Sequence, residues 1–422
     1  MKKIFVSAGL IAAGTAGLQA VNAPDVGPMQ ATKPWSISAT LRGFYDDNYT
    51  TGSGGFGHGS GGFEFSPSFD FNMVLQQTEI GFRYTYGLYY YQDREDKDQN
   101  PVDQTHEVDL WIDHAFTERW HGRFQDSLVV GQEPELLDPL RSTPTRVEGN
   151  NLANTGTFTV TTDWTRELST EFGYQNKFYD YENSGGNALD PSLAGELDRV
   201  ENNLHLDGQW HFSPLTMVFI GYAYGQVNYT ADEVIAPGYT SSDRDNLSHY
   251  GYVGLSYLIM PNLSLIGKGG FQYTDFYNDP SGTTSFGPYA NISLTYTYLP
   301  GSYAQLGLTH SRNATDQIQY DSINKSITLD QESTLVYATI NHKITPYLLA
   351  TVIGQLEYSV FNGGALNNSS EVYYGVGVNL SYAINPHLSA EVGYNFDKVN
   401  ALARTGLSYA RDRFYVGVTG TY

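Results

Sequence analysis

The sequence predicts an all-β fold, a single up-and-down antiparallel β-barrel of about 18 strands (16–18) that crosses a membrane. Three observations carry this reading. Apolar and polar residues alternate with a period of two from Trp35 to the end of the chain. The connections between these segments alternate between tight and long. Charged residues make up only 16% of the 422 residues.

The alternation is clearest in VYYGVGVNLSYAINPHLSAEVGYNFD, residues 372–397. Val372, Tyr374, Val376, Val378, Leu380 and Tyr382 form one side of the first half, against Tyr373, Gly375, Gly377, Asn379 and Ser381. After Asn385-Pro386 the pattern resumes with Leu388, Val392, Tyr394 and Phe396 against Ser389, Glu391, Asn395 and Asp397. Period two means a strand with two unlike faces. Similar segments fall at 35–46, 63–73, 77–92, 104–116, 120–131, 154–165, 169–182, 198–212 and 215–230. They continue at 243–258, 262–277, 284–298, 302–314, 331–343, 347–361, 370–383, 387–397 and 411–422.

Tight connections such as FTER, TREL, MPN, LPG and NP separate every second pair, and five carry proline (Pro214, Pro261, Pro300, Pro346, Pro386). Proline fixes φ and has no N–H to leave unpaired, so it ends strands cheaply. The other set is long and polar, as in DNYTTGSGGFGHGSGG and EPELLDPLRSTPTRVEGNN. In outer-membrane barrels the short turns are periplasmic and the long loops extracellular.

The third observation decides which medium the apolar side meets. A soluble sandwich would show a polar face rich in Lys and Glu. Here that face is mostly Gly, Ser, Thr, Asn, Gln and Tyr, while tyrosine and phenylalanine gather near strand ends on the apolar face. Aromatic girdles at the membrane–water boundary have this character. No apolar run beyond the N-terminal region approaches the ~20 residues of a membrane helix.

Residues 1–23 read as a signal peptide: a basic MKK, an apolar IFVSAGLIAAGTAGL and small residues at VNA, with cleavage after Ala20 also open. A short periplasmic segment (24–34) and the barrel (35–422) follow. The expected location is the outer membrane of a Gram-negative bacterium. Cysteine is absent, so packing and sheet closure must hold the exported chain. The net charge of −22 argues against nucleic acid. The chain ends in RFYVGVTGTY, with Phe414, Val416, Val418 and Tyr422 on one side. This resembles the aromatic-ended strand that the barrel-insertion machinery reads, although Gly420 stands where a larger residue is commoner.

Given closure, the small and polar side lines a lumen. Candidate lumen charges are Arg42, Glu79, Arg83, Asp109, Asp113, Arg123, Asp163, Glu171, Lys177, Glu201, Asp207, Lys268, Glu357, Glu391 and Arg413. Their acidic excess implies a mild preference for cations, and mixed signs in facing positions a transverse field. The bland alternative is a salt-bridged plug. Tyr250, Tyr252, Tyr289, Tyr373 and Tyr415 are candidate lumen aromatics for stacking on sugars, though an abundance of tyrosine puts some inward anyway. DREDKDQNPVD (93–103) is acidic but lacks the pattern of a calcium loop, and GSGGFGHGSGG (52–62) lacks the Lys and helix of a phosphate loop. His205 and His211 share a strand face with Glu201 and Asp207, but no spacing is diagnostic. The sequence therefore assigns no metal, no cofactor and no catalytic residue, and reads as a non-enzyme.

WSISATLRGFYDDNYTT (35–51), FEFSPSFDFN (63–72), RYTYGLYYYQDR (83–94), DSLVVGQEPELLDPLR (126–141), EGNNLANTGTFTV (148–160) and repeated P-x-L-S hairpins add a resemblance. Together they resemble the Putative beta-barrel porin 2 family of Gram-negative outer-membrane proteins. The likeness covers mainly the first 160 residues and implies an outer-membrane barrel acting as a pore, with no substrate or site residues attached. Expected partners are outer-membrane lipid and lipopolysaccharide, the insertion machinery, and small polar solutes or glycans. A homo-oligomer is compatible, with no feature demanding one. Two alternatives to a diffusion pore stay open: a polysaccharide export conduit, and a closed structural or surface-interaction barrel.

Overall fold

The computed structural model describes residues 33–54, 56–95, 100–133, 146–188, 190–401 and 408–422. The signal-peptide reading, and all of the periplasmic segment but its last two residues, lie outside these. Eighteen long strands form one closed sheet. They are β1 (Trp35–Asp46), β2 (Ser60–Val74), β3 (Thr78–Tyr91), β4 (Val102–Ala115), β5 (Trp120–Gly131) and β6 (Asn151–Asp163). Next come β7 (Leu168–Asp180), β8 (Arg199–Ser213), β9 (Thr216–Tyr229), β10 (Asn246–Met260), β11 (Leu263–Asp275) and β12 (Thr284–Leu299). The last six are β13 (Ser302–Asn313), β14 (Ser326–Thr345), β15 (Leu348–Gly363), β16 (Ser370–Asn385), β17 (Leu388–Ala401) and β18 (Tyr409–Thr421).

Each strand pairs antiparallel with its neighbours in sequence, and β1 closes the ring on β18 from Ser38↔Thr421 to Asp46↔Arg413. Two further bonds extend the seam: Ile37 N–H donates to Tyr422 O (3.1 Å) and Tyr422 N–H to Ile37 O (2.8 Å). Closure leaves no sheet edge, the condition for a sheet in hydrocarbon.

Several short turns are fixed by their own side chains. Thr117 Oγ1 accepts from the Arg119 and Trp120 N–H groups, Thr165 Oγ1 from Glu167 and Leu168, and Thr345 Oγ1 from Tyr347 and Leu348. These hydroxyls replace the carbonyls that a tight turn cannot offer. At Pro300-Gly301 the glycine takes φ +77°, which a side chain would resist.

The outer face is apolar through the middle of the wall: Ile220 is 68% exposed, Val416 64%, Leu306 53% and Val253 63%. Moving such side chains from water into lipid is worth roughly 1.5–3 kcal/mol each. The buried apolar clusters sit instead at the long-loop end. One joins Ile235, Ala236, Tyr239, Phe276, Ile318, Ile327 and Leu329, and another Val129, Val147, Ala153, Tyr179, Tyr181 and Leu197. Strand β14 starts at Ser326 rather than near 331 because Ile327 and Leu329 join the first cluster, above the membrane-facing wall.

Candidate functional site

The residues sharing a face are set by register. On β1, Ile37, Leu41 and Tyr45 are exposed outward, so Thr40, Arg42 and Asp46 point to the interior. Arg42 is opposite Glu64, Asp70 opposite Arg83, Arg83 opposite Asp109, and Glu79 opposite Asp113, which is opposite Arg123. The interior face of β1–β5 therefore carries Glu64, Asp70, Glu79, Asp103, Glu107, Asp109 and Asp113 against Arg42, Arg83 and Arg123.

These charges pair sideways. Arg42 Nη1 donates to both carboxylate oxygens of Glu64 (3.0 Å each) and its Nε to Glu391 Oε1 (2.6 Å). Arg83 Nε donates to Asp70 (2.6 Å) and Arg123 Nε to Asp113 (2.7 Å). Glu79, Glu107 and Asp109 make no ion pair among the described residues. Nine strands further round the ring, the interior faces of β12–β14 show Asn291, Ser293, Thr295, Gln305, Thr309, Ser333, Thr339 and Asn341. Gln305 Nε2 donates to Ser293 Oγ (2.9 Å) there. An acidic wall thus faces one lined by amides and hydroxyls, with Lys343 at its short-turn end, and the ion pairs run along the wall between strands one or two apart.

The other expected charges fall on the same interior face. Lys177 Nζ lies 3.6 Å from Glu201, which also accepts from Arg199 Nε (2.7 Å). Glu171 is opposite Asp207, with His205 beside them, and Lys268 Nζ is 4.5 Å from the Tyr252 ring centre. Glu357 is buried and accepts from Ser359 Oγ (3.2 Å), Arg413 pairs with Asp397, and Asp163 lies opposite Ser169 near the short-turn rim. The grouping of His205, His211, Glu201 and Asp207 along β8 divides: His211 Nε2 bonds Ser169 Oγ at 3.0 Å.

The five tyrosines make two groups. Tyr250 and Tyr252 lie 5.2 Å and 6.0 Å from Tyr289, while Tyr373 donates to Asp397 (3.0 Å) and Tyr415 accepts from Asn379 (3.0 Å) elsewhere on the wall. Several rings lie flat over glycines of the next strand. A Cβ on Gly393 would come 2.0 Å from Tyr415 Cζ, and one on Gly221 2.2 Å from Tyr252 Cε2. At the closing seam, Phe414, Val416 and Val418 point outward, and the Tyr422 ring packs 6.1 Å from Trp35 with Lys33 Nζ 4.1 Å above it.

Sequence reasoning passed over Glu64, Asp70, Glu107 and Asp397. The signal was present: Glu64 and Asp70 share parity in FEFSPSFDFN, against Phe63, Phe65, Phe69 and Phe71. Missed without a local signal were the contacts among long loops. Arg411 donates to Asp46 (2.5 Å) and to Glu133 (2.8 Å), and Arg146 pairs with Glu133 and Asp103. Burial alone would raise the Glu133 carboxyl, but Arg411 and Arg146 hold it well below the usual range. Over the other side, fully buried Arg244 donates to Glu196 O (2.8 Å) and Thr315 O (2.5 Å), tying three loops together. There burial pushes the Asp198 carboxyl up to about 7, against the bond it accepts from Tyr181 N–H (2.7 Å).

Closed sheet, apolar exterior and polar interior define a membrane-spanning β-barrel of the porin class. The family model described as Putative beta-barrel porin 2 matches residues 36–422, and the chain belongs to that family. The match extends the likeness seen in the first 160 residues to the whole barrel, and with the fold it places the chain in the outer membrane as a channel-type barrel. No curated protein matches the sequence. Among solved structures, Acinetobacter baumannii OccAB4 is similar at 15% identity, covering 94% of this chain and 100% of that one, with a TM-score of 0.42. Pseudomonas aeruginosa OpdK, crystallised with vanillate, gives 12% identity, 92% and 99% coverage, and 0.43. Pseudomonas aeruginosa OccK9 (OpdG) gives 11%, 92% and 98%, and 0.44.

Proposed function

We propose that this barrel is a channel for passive diffusion of small hydrophilic solutes, mildly preferring cations. The observation that carries the reading is the uneven interior: Glu79, Glu107 and Asp109 have no ion-pair partner among the described residues, on a wall facing one lined mainly by amides and hydroxyls. Unpaired carboxylates beside low-dielectric walls raise the local cation concentration. The facing amides and hydroxyls offer replaceable hydrogen bonds to uncharged polar solutes without binding any one tightly. A barrel of this strand number encloses an aqueous passage unless loops fill it. The wall carries no catalytic role in this account.

The test is planar-bilayer recording with liposome swelling on the refolded chain. Stable open-channel currents and uptake of small neutral sugars are expected. Absence of both under all voltages would overturn the channel reading in favour of a closed surface barrel.

A further inference from the structure

The interior face of β7–β10 holds a ligand set that the diffusion reading does not use. Glu171, His205 and Asp207 each present a ligand atom, all within 4.8 Å of one another. Asp207 is directly opposite Glu171 in the β7–β8 ladder, and His205 is two residues along the same face. Glycines let these side chains converge. A Cβ on Gly173 would lie 2.0 Å from His205 Cε1, and one on Gly221 2.1 Å from Asp207 Oδ1.

Each side chain is held in a way that leaves a ligand atom free. Tyr252 Oη donates to Asp207 Oδ1 (2.6 Å), orienting that carboxylate as an outer-shell partner would. His205 is only 7% exposed and makes no hydrogen bond among the described residues. Its Nε2 lies 3.5 Å from Glu171 Oε1. The ring nitrogens of His205 are not among the fully buried polar atoms that lack a partner, so the edge of the imidazole stays open to an incoming ion. Lys268, over the Tyr252 ring, supplies positive charge nearby and competes with an incoming cation.

We infer that Glu171, His205 and Asp207 bind a divalent transition-metal ion of the zinc type on the lumen wall. One imidazole nitrogen and two carboxylates, with water completing the sphere, suit such ions. The imidazole selects against Mg²⁺ and Ca²⁺, which take oxygen ligands. The assignment does not depend on whether the barrel conducts.

Isothermal titration of the refolded full-length barrel with Zn²⁺ tests it, with circular dichroism and heat-modified gel mobility reporting the fold. The wild type should show one saturable site. His205→Ala should abolish that site, and Glu171→Gln should weaken it by at least the roughly 10–100-fold given by outer-shell changes. His211→Ala should leave it intact, and Lys268→Met should tighten it by removing the competing charge. Equal Zn²⁺ titrations for wild type and His205→Ala would overturn the inference. So would no saturable binding, equally tight Mg²⁺ binding, or unchanged affinity in Lys268→Met.

Discussion

The interior of β1–β5 and that of β12–β14 are built from the same alternation, yet they differ in how their polar groups are satisfied. On β1–β5 the wall is held by charge pairs and carries surplus carboxylates. On β12–β14 it is held by neutral bonds such as Gln305 to Ser293. The contrast teaches that the same alternation can satisfy an interior face either by ion pairs or by neutral hydrogen bonds. It also separates two kinds of interior charge: Arg42 is saturated by Glu64 and Glu391, whereas Glu107 and Asp109 have no ion-pair partner among the described residues.

The largest expected effect comes from Arg42→Ala, which leaves two buried carboxylates uncompensated. Breaking a buried pair from one side costs about 3–5 kcal/mol, to be read as a lower urea midpoint for unfolding from micelles. Gln305→Ala, on the neutral wall, should cost about 0.5–1.5 kcal/mol and leave the reversal potential where it was. A shift in that potential would break the division between the walls. Arg83 is 41% exposed at its side chain, so Arg83→Ala should cost under about 1 kcal/mol. It should nonetheless strengthen cation preference by freeing Asp70.

The smallest effect is in the loops above the two sides, whose pH responses have opposite sign. Asp198 lies above its ordinary value, so its contribution is complete below about pH 4. That contribution is lost as pH rises through about 7. Glu133 lies below its ordinary value, so its contribution is present above that value and lost only in strong acid. Asp198→Asn should make hydrogen exchange of 181–198 nearly independent of pH between 5 and 8, apart from the intrinsic chemical rate. An unchanged pH profile would show that another group governs this loop.

Much of the architecture was legible because one rule, period two, governs every strand and the turns carry their own chemistry. The eighteen strands and their order of short and long connections follow from Pro261, Pro300, Pro346 and Pro386 and from alternation such as Val376, Val378 and Leu380. Ends were less legible. β2 begins at Ser60, inside the glycine-rich stretch 52–62 rather than at 63, because Ser60 and Gly61 pair with Asp46 and Tyr45. Pair partners were partly legible, since parity gives the face but not which neighbour sits opposite. The loop contacts were not legible: Arg411 and Glu133 are 278 positions apart, and nothing near either predicts the other. Nor does β8 alone reveal that His205 turns toward Glu171 on β7 while His211 turns to Ser169.

The proposed ion preference rests on Glu79, Glu107 and Asp109 of β3 and β4, which have no ion-pair partner among the described residues. Reversal potential across a KCl gradient, compared between wild type and the Glu79→Gln, Glu107→Gln, Asp109→Asn triple variant, tests it most directly. A cation-selective wild type is expected, with a triple variant whose potential moves toward zero while the channel stays open. An anion-selective wild type, or a triple variant with unchanged cation preference, would contradict it.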